Sequence, residues 1–275
     1  MPELPETETI ARDLDRSVAG ATIRRATVKR PDVLREVSAR TLAKRVAGTK
    51  VLRSWRRAKL IVIDLVTGDR IVVQPRFTGA LLLDDGKLPK DALRYSTVRF
   101  DLDDGRALHY ADVRRLGTLA LMDPTRFTEY TMRFGAEPLD HTFTRQHLSG
   151  VLAATAQPLK KVLMDQRKIA GIGNIYANEA LWRARLDPSR PASTATTAEA
   201  KRLREAIVSV LEEAIAARGT SFRDYRDVKG ERGSFAEKLA VYGRAGEPCH
   251  RCSRRLIATH AIDGRATTFC AHCQH

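Results

Sequence analysis

The chain has 275 residues, of which 43% are apolar, which is enough for about two domains with buried cores. Its 48 Lys and Arg residues outnumber 33 Asp and Glu residues and leave a formal charge of +15. This excess favours a polyanionic partner such as nucleic acid, because neutralised phosphates release counterions on binding. The first 30 residues lack the apolar run of a signal peptide, and the longest apolar stretch, residues 60–63, is far too short to span a bilayer. We therefore expect a cytosolic protein with no membrane partner.

The N-terminus carries groups that can do chemistry. Removal of Met1 would leave the secondary amine of Pro2 at the start of the chain, with the carboxylate of Glu3 beside it. An α-amine has a pKa of about 8, so roughly a tenth of it is unprotonated at neutral pH. Such an amine can attack an aldehyde-level carbon while Glu3 moves the protons. The other interpretation is that a small residue simply follows a removed methionine, and these residues alone leave both open.

Residues 3–18 have the apolar spacing of an amphipathic helix, with Ile10, Leu14 and Val18 on one face. From about residue 22 to residue 122 the pattern changes to short β-rich runs separated by Gly- and Asp-rich turns, which predicts an antiparallel sandwich. The predicted runs are Val51 and Leu52, Leu60 to Val66, Ile71 to Gln74, Ala80 to Leu83, Val98 to Leu102, Arg106 to Tyr110 and Thr118 to Met122.

After Pro138 the pattern is helical. Helices are predicted at about 144–154, 158–165, 174–185 and 197–217, and the last starts with a capping box of Thr196 and Glu199. A loop is predicted at 188–195 and a mobile basic loop at 219–240.

Two glycines, Gly171 and Gly173, precede Asn174 at the start of the third of these helices. The amides of such a turn can hold a phosphate at the helix N-terminus. A plain helix cap explains the same residues.

All four cysteines lie in the last 27 residues. The pattern Cys249-x2-Cys252, 17 residues, Cys270-x2-Cys273 has the spacing of a zinc site. Four thiolates would close one tetrahedral, structural Zn²⁺ site. A nearby histidine could replace one cysteine as a ligand, the candidates being His250, His260, His272 and His275. Arginines between the two pairs, including Arg265, can present cations to phosphate.

Taken together, these stretches resemble the formamidopyrimidine-DNA glycosylase / endonuclease VIII family of base-excision repair enzymes. The resemblance runs nearly from end to end. It is carried by residues 2–6, Arg56-Arg57-Ala58-Lys59, the run from Asp112 to Gly117, the run from Gly171 to Glu179, residues 241–244, and the cysteine finger with Gly264 to Thr267.

The resemblance implies an α+β multidomain fold in three parts. These are an N-terminal helix plus β-sandwich catalytic domain at 1–134, a helical domain with a helix-two-turns-helix element at 135–240, and a four-cysteine zinc finger at 241–275. It also implies a monomer that binds damaged double-stranded DNA in the bacterial cytoplasm, at the nucleoid.

The resemblance further implies a bifunctional glycosylase and abasic-site lyase. Pro2 would be the nucleophile at C1′ and Glu3 the assisting acid, while Lys59 would supply a cation and a proton. Arg265 and Asn174 would hold phosphates, and Glu6 and Glu179 would support the terminus and the glycine turn. Phe77, Arg114 and Leu116 would fill the gap left by the flipped nucleotide. The predicted DNA-binding residues are completed by Tyr95, Arg115 and Lys160.

The chain departs from the family's purine-lesion branch at Gln74-Pro75-Arg76-Phe77-Thr78-Gly79, at Tyr95-Ser96-Thr97-Val98 and at Leu116. The run from Phe222 to Phe235, which resembles that branch's lesion-capping loop, favours oxidised purines such as 8-oxoguanine and formamidopyrimidines. The alternatives are an enzyme for oxidised pyrimidines or abasic sites, or a non-catalytic damage-binding protein on the same scaffold. A zinc-ribbon RNA-binding protein would fit the charge and the cysteines but leaves the N-terminus unexplained.

Overall fold

The structure is a computed structural model that describes residues 2–222 and 225–275. The fate of Met1, and the Arg223 and Asp224 part of the predicted basic loop, lie outside the described residues. The chain forms two compact units. The first is residues 2–132 with 217–236, less the two undescribed positions, and the second is residues 133–216 with 237–275. The three-part division at residues 134 and 240 stays a prediction.

The first unit begins with helix α1, Leu4–Val18. A proline in its first turn and a reciprocal capping box between Glu3 and Glu6 start the helix. Its apolar face is buried in the core of the unit through Ile10, Leu14 and Val18. The predicted amphipathic helix is therefore confirmed.

The strands of the first unit form a sandwich around one core. They are β1 (Thr22–Val28), β2 (Leu34–Arg35), β3 (Thr49–Arg57), β4 (Leu60–Leu65), β5 (Arg70–Gln74), β6 (Gly79–Asp84), β7 (Ser96–Leu102), β8 (Ala107–Asp112) and β9 (Thr118–Met122). Within the described residues their order is β2-β9-β5-β4-β3-β1-β7-β8-β6. β1 and β3 pair only through Thr22 with Lys50 and Ile23 with Thr49, so this short link joins two halves, which are antiparallel apart from the short parallel pair of β2 and β9. Both halves contribute to the same core, which confirms the predicted sandwich.

Within the described residues, four strands and helices of this unit were missed by the sequence patterns: β1, β2, α2 and α3. Strand β1 contains two arginines, which interrupt its apolar alternation. Helix α2 (Ala39–Val46) buries only Leu42 and Val46, and helix α3 (Pro124–Thr131) buries only Phe127. With so few buried side chains these helices show no clear 3.6-residue period, although each starts with a local cap, Ser38 and Asp123 respectively.

The second unit contains helices α4 (Arg145–Ala153), α5 (Leu159–Met164), α6 (Asn174–Ala184) and α7 (Thr197–Ala216), each within two residues of its predicted bounds. The capping box of α7 is present, since the Thr196 amide donates to Glu199 Oε2 at 2.8 Å and the Glu199 amide donates to Thr196 Oγ1 at 3.3 Å. A short hairpin of β10 (Ile257–Thr259) and β11 (Thr267–Phe269) lies between the cysteine pairs. Within the described residues, none of the helices has the length and apolar character needed to cross a bilayer.

Candidate active site and metal centre

Pro2 lies directly ahead of α1 and is buried. The next residue, Glu3, is only 2% exposed. The amide of Glu3 donates to Glu6 Oε2 at 2.8 Å, and its carbonyl accepts the Thr7 hydroxyl at 2.9 Å. The backbone beside Pro2 is therefore fixed by its own first helical turn, in surroundings with little water.

Glu6 also connects this turn to a segment more than 200 residues further along. Its Oε1 accepts the Thr220 amide at 2.7 Å. Gly219 has φ +84°, and a Cβ there would lie 2.9 Å from Glu6 Oε1. Only glycine fits this approach without strain. The supporting role predicted for Glu6 thus has a physical basis in two backbone contacts, at Glu3 and at Thr220.

Lys59 lies in the two-residue turn between β3 and β4. Ala58, the other residue of the turn, is buried and has φ +53°. Arg56 donates to the Ala58 carbonyl at 3.0 Å and to Glu8 Oε2 on α1 at 2.7 Å, so it joins the turn that carries Lys59 to the helix that follows Pro2. Arg56 is not a solvated surface cation, because its side chain is only 7% exposed.

The contact between Glu8 and Arg56 changes the pKa of the Glu8 carboxyl group. Burial alone would raise the pKa of Glu8, but the charge and hydrogen bond of Arg56, helped by Arg12, hold that pKa below its usual range. Glu8 is therefore ionised at neutral pH and can stabilise α1 against the β3–β4 turn.

Two loops present the residues predicted to fill the DNA stack. Phe77 is 46% exposed and Leu116 is 41% exposed, so neither belongs to the core. The guanidinium of Arg114 lies 5.3 Å from the centroid of the Phe77 ring. The structure therefore brings Phe77 and Arg114 together on the surface, as an apolar face with a cation beside it.

Asp112 organises these loops, a role that the sequence did not suggest. This buried carboxylate accepts the amides of Gly117 at 2.8 Å and Arg114 at 3.2 Å, and it also accepts the hydroxyl of Thr78. A Cβ at Gly117 would lie 2.7 Å from the carbonyl oxygen of Gln74, so the two loops touch through backbone. An aspartate at the end of a strand gives no local signal of contacts with residues 34 positions away.

Tyr95 and Arg115 are not part of the contact between Phe77 and Arg114. Tyr95 is 42% exposed, and the guanidinium of Arg94 lies 5.6 Å from its ring centroid. Arg115 pairs with Asp32 at 3.2 Å, with both side chains about half exposed. Their predicted contacts with DNA stay predictions.

In the second unit, the glycine turn ahead of α6 is held by Gln166, which sequence reasoning also missed. Its side-chain amide donates to the carbonyl of Ile172 at 2.7 Å and accepts the Gly171 amide at 2.9 Å. Gly173 is the N-cap of α6 and has no side chain to occupy the helix end. The partly buried Asn174 donates from its side chain to the Ala266 carbonyl at 3.0 Å.

Arg265 is exposed on the loop between β10 and β11. Lys160 lies beneath this loop and is fully buried, with Nζ 2.7 Å from Thr267 Oγ1 and 3.2 Å from Asp263 Oδ1. Asn178 Oδ1 accepts the Thr268 amide at 3.0 Å. The direct DNA contact predicted for Lys160 stays a prediction, and its observed contacts support the loop that presents Arg265.

Glu179, on α6, is completely buried. Its carboxylate accepts the amides of Ala240, Val241 and Tyr242 at 2.8–2.9 Å. Glu179 therefore fixes the chain that enters the finger, whereas the glycine turn is held by Gln166.

The four cysteines converge as a metal site requires. Their sulfur atoms all lie within 4.8 Å of one another, none is in a disulfide, and Cys252 Sγ lies 3.5 Å from Cys270 Sγ. A tetrahedral site with Zn–S bonds of about 2.3 Å separates its sulfurs by about 3.8 Å, so the four thiolates fit Zn²⁺. No histidine joins the group among the described residues, which favours a ligand set of four cysteines.

Family models match along nearly the whole chain. The formamidopyrimidine-DNA glycosylase N-terminal domain matches residues 1–119, the H2TH domain of the same enzymes matches 134–226, and the zinc finger found in FPG and IleRS matches 246–275. The formamidopyrimidine-DNA glycosylase of Carboxydothermus hydrogenoformans is 42% identical over 275 residues, covering all of both chains. The chain belongs to the formamidopyrimidine-DNA glycosylase family.

Solved structures agree with this membership. The MutM (FPG) protein of Thermus thermophilus is 37% identical with a TM-score of 0.87, covering 99% of this chain and 98% of that one. The Fpg of Lactococcus lactis in complex with DNA containing N7-benzyl-Fapy-dG is 28% identical with a TM-score of 0.91, covering all of both chains. Formamidopyrimidine-DNA glycosylases excise damaged bases and cleave abasic sites, and this chain is a DNA repair enzyme of that class.

Proposed function

We propose that this formamidopyrimidine-DNA glycosylase removes oxidised bases from duplex DNA and cleaves the resulting abasic site through the amine of Pro2. The observation that carries the proposal is the buried start of α1. A carboxylate only 2% exposed follows Pro2, and Glu6 fixes the backbone between them. A non-catalytic member of the family would not need both groups, so their presence favours the enzyme.

The nitrogen lone pair of Pro2 attacks C1′ while the bond between C1′ and the base breaks. The base leaves with its bonding electrons and takes up the proton that the Pro2 nitrogen releases. Glu3 donates the proton that opens the C1′–O4′ bond, which gives an iminium ion on Pro2. Loss of a C2′ proton then expels the 3′ phosphate, and a second elimination expels the 5′ phosphate. Water releases the sugar remnant from Pro2, and Lys59 supplies positive charge to these cleavage steps.

A base inside a duplex is out of reach of Pro2, so the nucleotide must be extruded at a cost of a few kcal/mol. Phe77 and Leu116 are exposed enough to enter the vacated stack, and Arg114, against the Phe77 ring, can pair with the orphaned base. Arg265 and Asn174 would hold phosphates of the damaged strand. We expect a monomer that works in the bacterial cytoplasm, at the nucleoid.

The preferred lesion is proposed to be an oxidised purine, 8-oxoguanine or a formamidopyrimidine. The run from Phe222 to Phe235, as far as the structure describes it, supports this choice because it continues directly from the Thr220 contact with Glu6. Complexes of the Lactococcus lactis enzyme with DNA that contains an oxidised pyrimidine or an abasic site keep those lesions as alternatives for this chain. When bound, Zn²⁺ would fold the finger that presents Arg265 and take no part in the chemistry.

Borohydride trapping on a panel of duplexes tests the proposal. The duplexes carry 8-oxoguanine, a formamidopyrimidine, an oxidised pyrimidine or an abasic site, and an undamaged duplex is the control. We expect covalent adducts with both purine lesions and the abasic site, with formation slower on the pyrimidine lesion. Faster trapping on the pyrimidine lesion would reverse the assigned preference, and a lack of adducts on every duplex would contradict the proposed mechanism.

A further inference from the structure

The described residues of the segment 217–236, which are 217–222 and 225–236, attach to the rest of the first unit in two different ways. Its later part is held by apolar burial, since Tyr225 and Val228 belong to the buried core of the unit and the Leu83 amide donates to the Val228 carbonyl at 2.9 Å. Its start, 217–220, has no large apolar side chain. Polar contacts hold that part in place.

Arg218 makes the most extensive of these polar contacts. Its guanidinium binds both carboxylate oxygens of Asp13 on α1, with Nη1 3.4 Å from Oδ1 and a closer contact between Nη2 and Oδ2. The same guanidinium binds Asp227, with Nε 3.1 Å from Oδ2. One side chain thus joins three parts of the unit: helix α1, the start of the segment and the middle of the segment. We call Arg218, Asp13 and Asp227 the clasp.

The carboxylate of Asp227 needs the Arg218 cation beside it, because Asp227 is only 1% exposed and water cannot stabilise its charge. Its Oδ1 accepts the amides of Lys229 at 3.0 Å and Glu231 at 2.8 Å, which shapes the turn that follows. A buried carboxylate is costly unless a cation pairs with it. Arg218 supplies that cation, so loss of Arg218 would loosen the turn at 227–231 as well as the contact with α1.

The backbone of Arg218 points to the same conclusion. Its φ is +59°, in the left-handed region that favours glycine. Gly219, immediately after it, also has positive φ. An arginine held in this conformation is strained, and strain of this kind persists where surrounding contacts fix the residue. Here those contacts are with Asp13 and Asp227.

We propose that Arg218 is a positioning residue for base excision, which holds the segment 217–236 in register with α1 and so with Pro2 and Glu3. This rests on the proposed function, in which the run from Phe222 to Phe235, within this segment, selects the damaged base. Cleavage of a preformed abasic site has no base to position. The clasp therefore affects excision and leaves abasic-site cleavage unchanged.

The test compares single-turnover excision of 8-oxoguanine and a formamidopyrimidine with cleavage of an abasic duplex. Arg218→Gly removes the side chain and suits the positive φ, so the backbone is retained. We expect about tenfold slower excision, unchanged substrate affinity and unchanged abasic-site cleavage. Arg16→Ala is the matched control, because Arg16 also pairs with Asp13, at 3.8 Å, but from a side chain 73% exposed on the same helix. It should excise at the wild-type rate.

Asp13→Asn completes the test. If Asp13 and Arg218 act through one contact, the double variant should be no slower than Arg218→Gly alone. Full additivity of the two effects would overturn the proposal, as would an equal loss on base-containing and abasic substrates. The wild-type enzyme in the same assay keeps the two claims separate: absence of its excision activity contradicts the proposed function, whereas wild-type excision by Arg218→Gly contradicts only the clasp.

Discussion

At the scale of single residues, the proposed chemistry depends on a carboxylate with little water around it. Glu3→Gln keeps the size and burial of the side chain but removes the proton donor. We expect excision of a damaged base to fall by at least about a hundredfold, within the usual contribution of a general acid, with a smaller loss of cleavage at a preformed abasic site. Single-turnover rates on the two substrates measure this, with the exposed Glu212→Gln as control. Equal losses on both substrates would show that the acid role of Glu3 is not specific to base excision.

Phe77 is the second residue whose role can be tested alone. Stacking of a base on an aromatic ring contributes about 1–3 kcal/mol. Phe77→Ala should therefore slow excision from duplex DNA by about tenfold or more, at about 1.4 kcal/mol per decade. It should spare cleavage of an abasic site in single-stranded DNA, where no stack is opened. Leu52→Ala, which truncates an exposed side chain on β3, is the control. A matching loss on the single-stranded substrate would mean that Phe77 supports the fold and does not act as a wedge.

At the scale of secondary-structure elements, the pair of Glu8 and Arg56 connects α1 to the β3–β4 turn that carries Lys59. The pKa of Glu8 is lower in the folded state than its ordinary value of 4.5. Its stabilising effect is therefore complete above that value and is lost as the pH falls through the lower folded-state pKa.

Glu8→Gln should lower the free energy of unfolding at pH 7 by about 1.5–3 kcal/mol, the usual contribution of a hydrogen bond to a charged group. The difference from wild type should shrink as the pH falls from 4.5 through the folded-state pKa of Glu8. Denaturant titrations from neutral pH into acid measure it. Glu205→Gln, which removes an exposed pair with Lys201, should change little. A difference that stays constant over this range would refute the pairing.

The finger is an element that depends on its metal. Its buried cluster consists of Val241, Leu256, Cys249 and Cys270, so two of its four members are ligands. Cys249→Ser should release Zn²⁺ and unfold the finger locally, with weaker DNA binding. Arg265→Ala should keep one zinc per chain and weaken DNA binding alone. Metal analysis and DNA titration distinguish the two, and well-folded, active protein without zinc would contradict the structural role of the metal.

Local patterns predicted α1 and α4–α7 because these helices carry periodic apolar faces or caps. In β1 two arginines interrupt the apolar alternation, and α2 and α3 each bury only one or two side chains, so their caps alone did not reveal them. The residues of the candidate site also fall into a group that the sequence predicts and a group that it does not. Pro2, Glu3 and the cysteines are recognisable from neighbours in sequence, whereas Asp112, Gln166 and Arg218 act through contacts that only the fold creates. Arg218 and Asp13, for example, are 205 residues apart.

At the scale of the whole molecule, the charge of +15 predicts DNA binding that weakens steeply with salt. The logarithm of the binding constant should fall linearly with the logarithm of salt concentration. Arg265→Ala should reduce the slope by about one, because one phosphate contact is lost. Fluorescence anisotropy with an abasic duplex at several salt concentrations measures the slope. A slope that Arg265→Ala leaves unchanged would remove Arg265 from the phosphate contacts.

The central claim is that a free Pro2 amine forms the covalent bond to DNA. The most direct test is borohydride trapping on an abasic duplex by protein beginning at Pro2, compared with protein that retains Met1 or a short N-terminal extension. We predict a covalent adduct at Pro2 for the first protein and none for the blocked protein, which should still bind DNA. Trapping that survives the block, or that peptide mapping places on Lys59, would contradict the account.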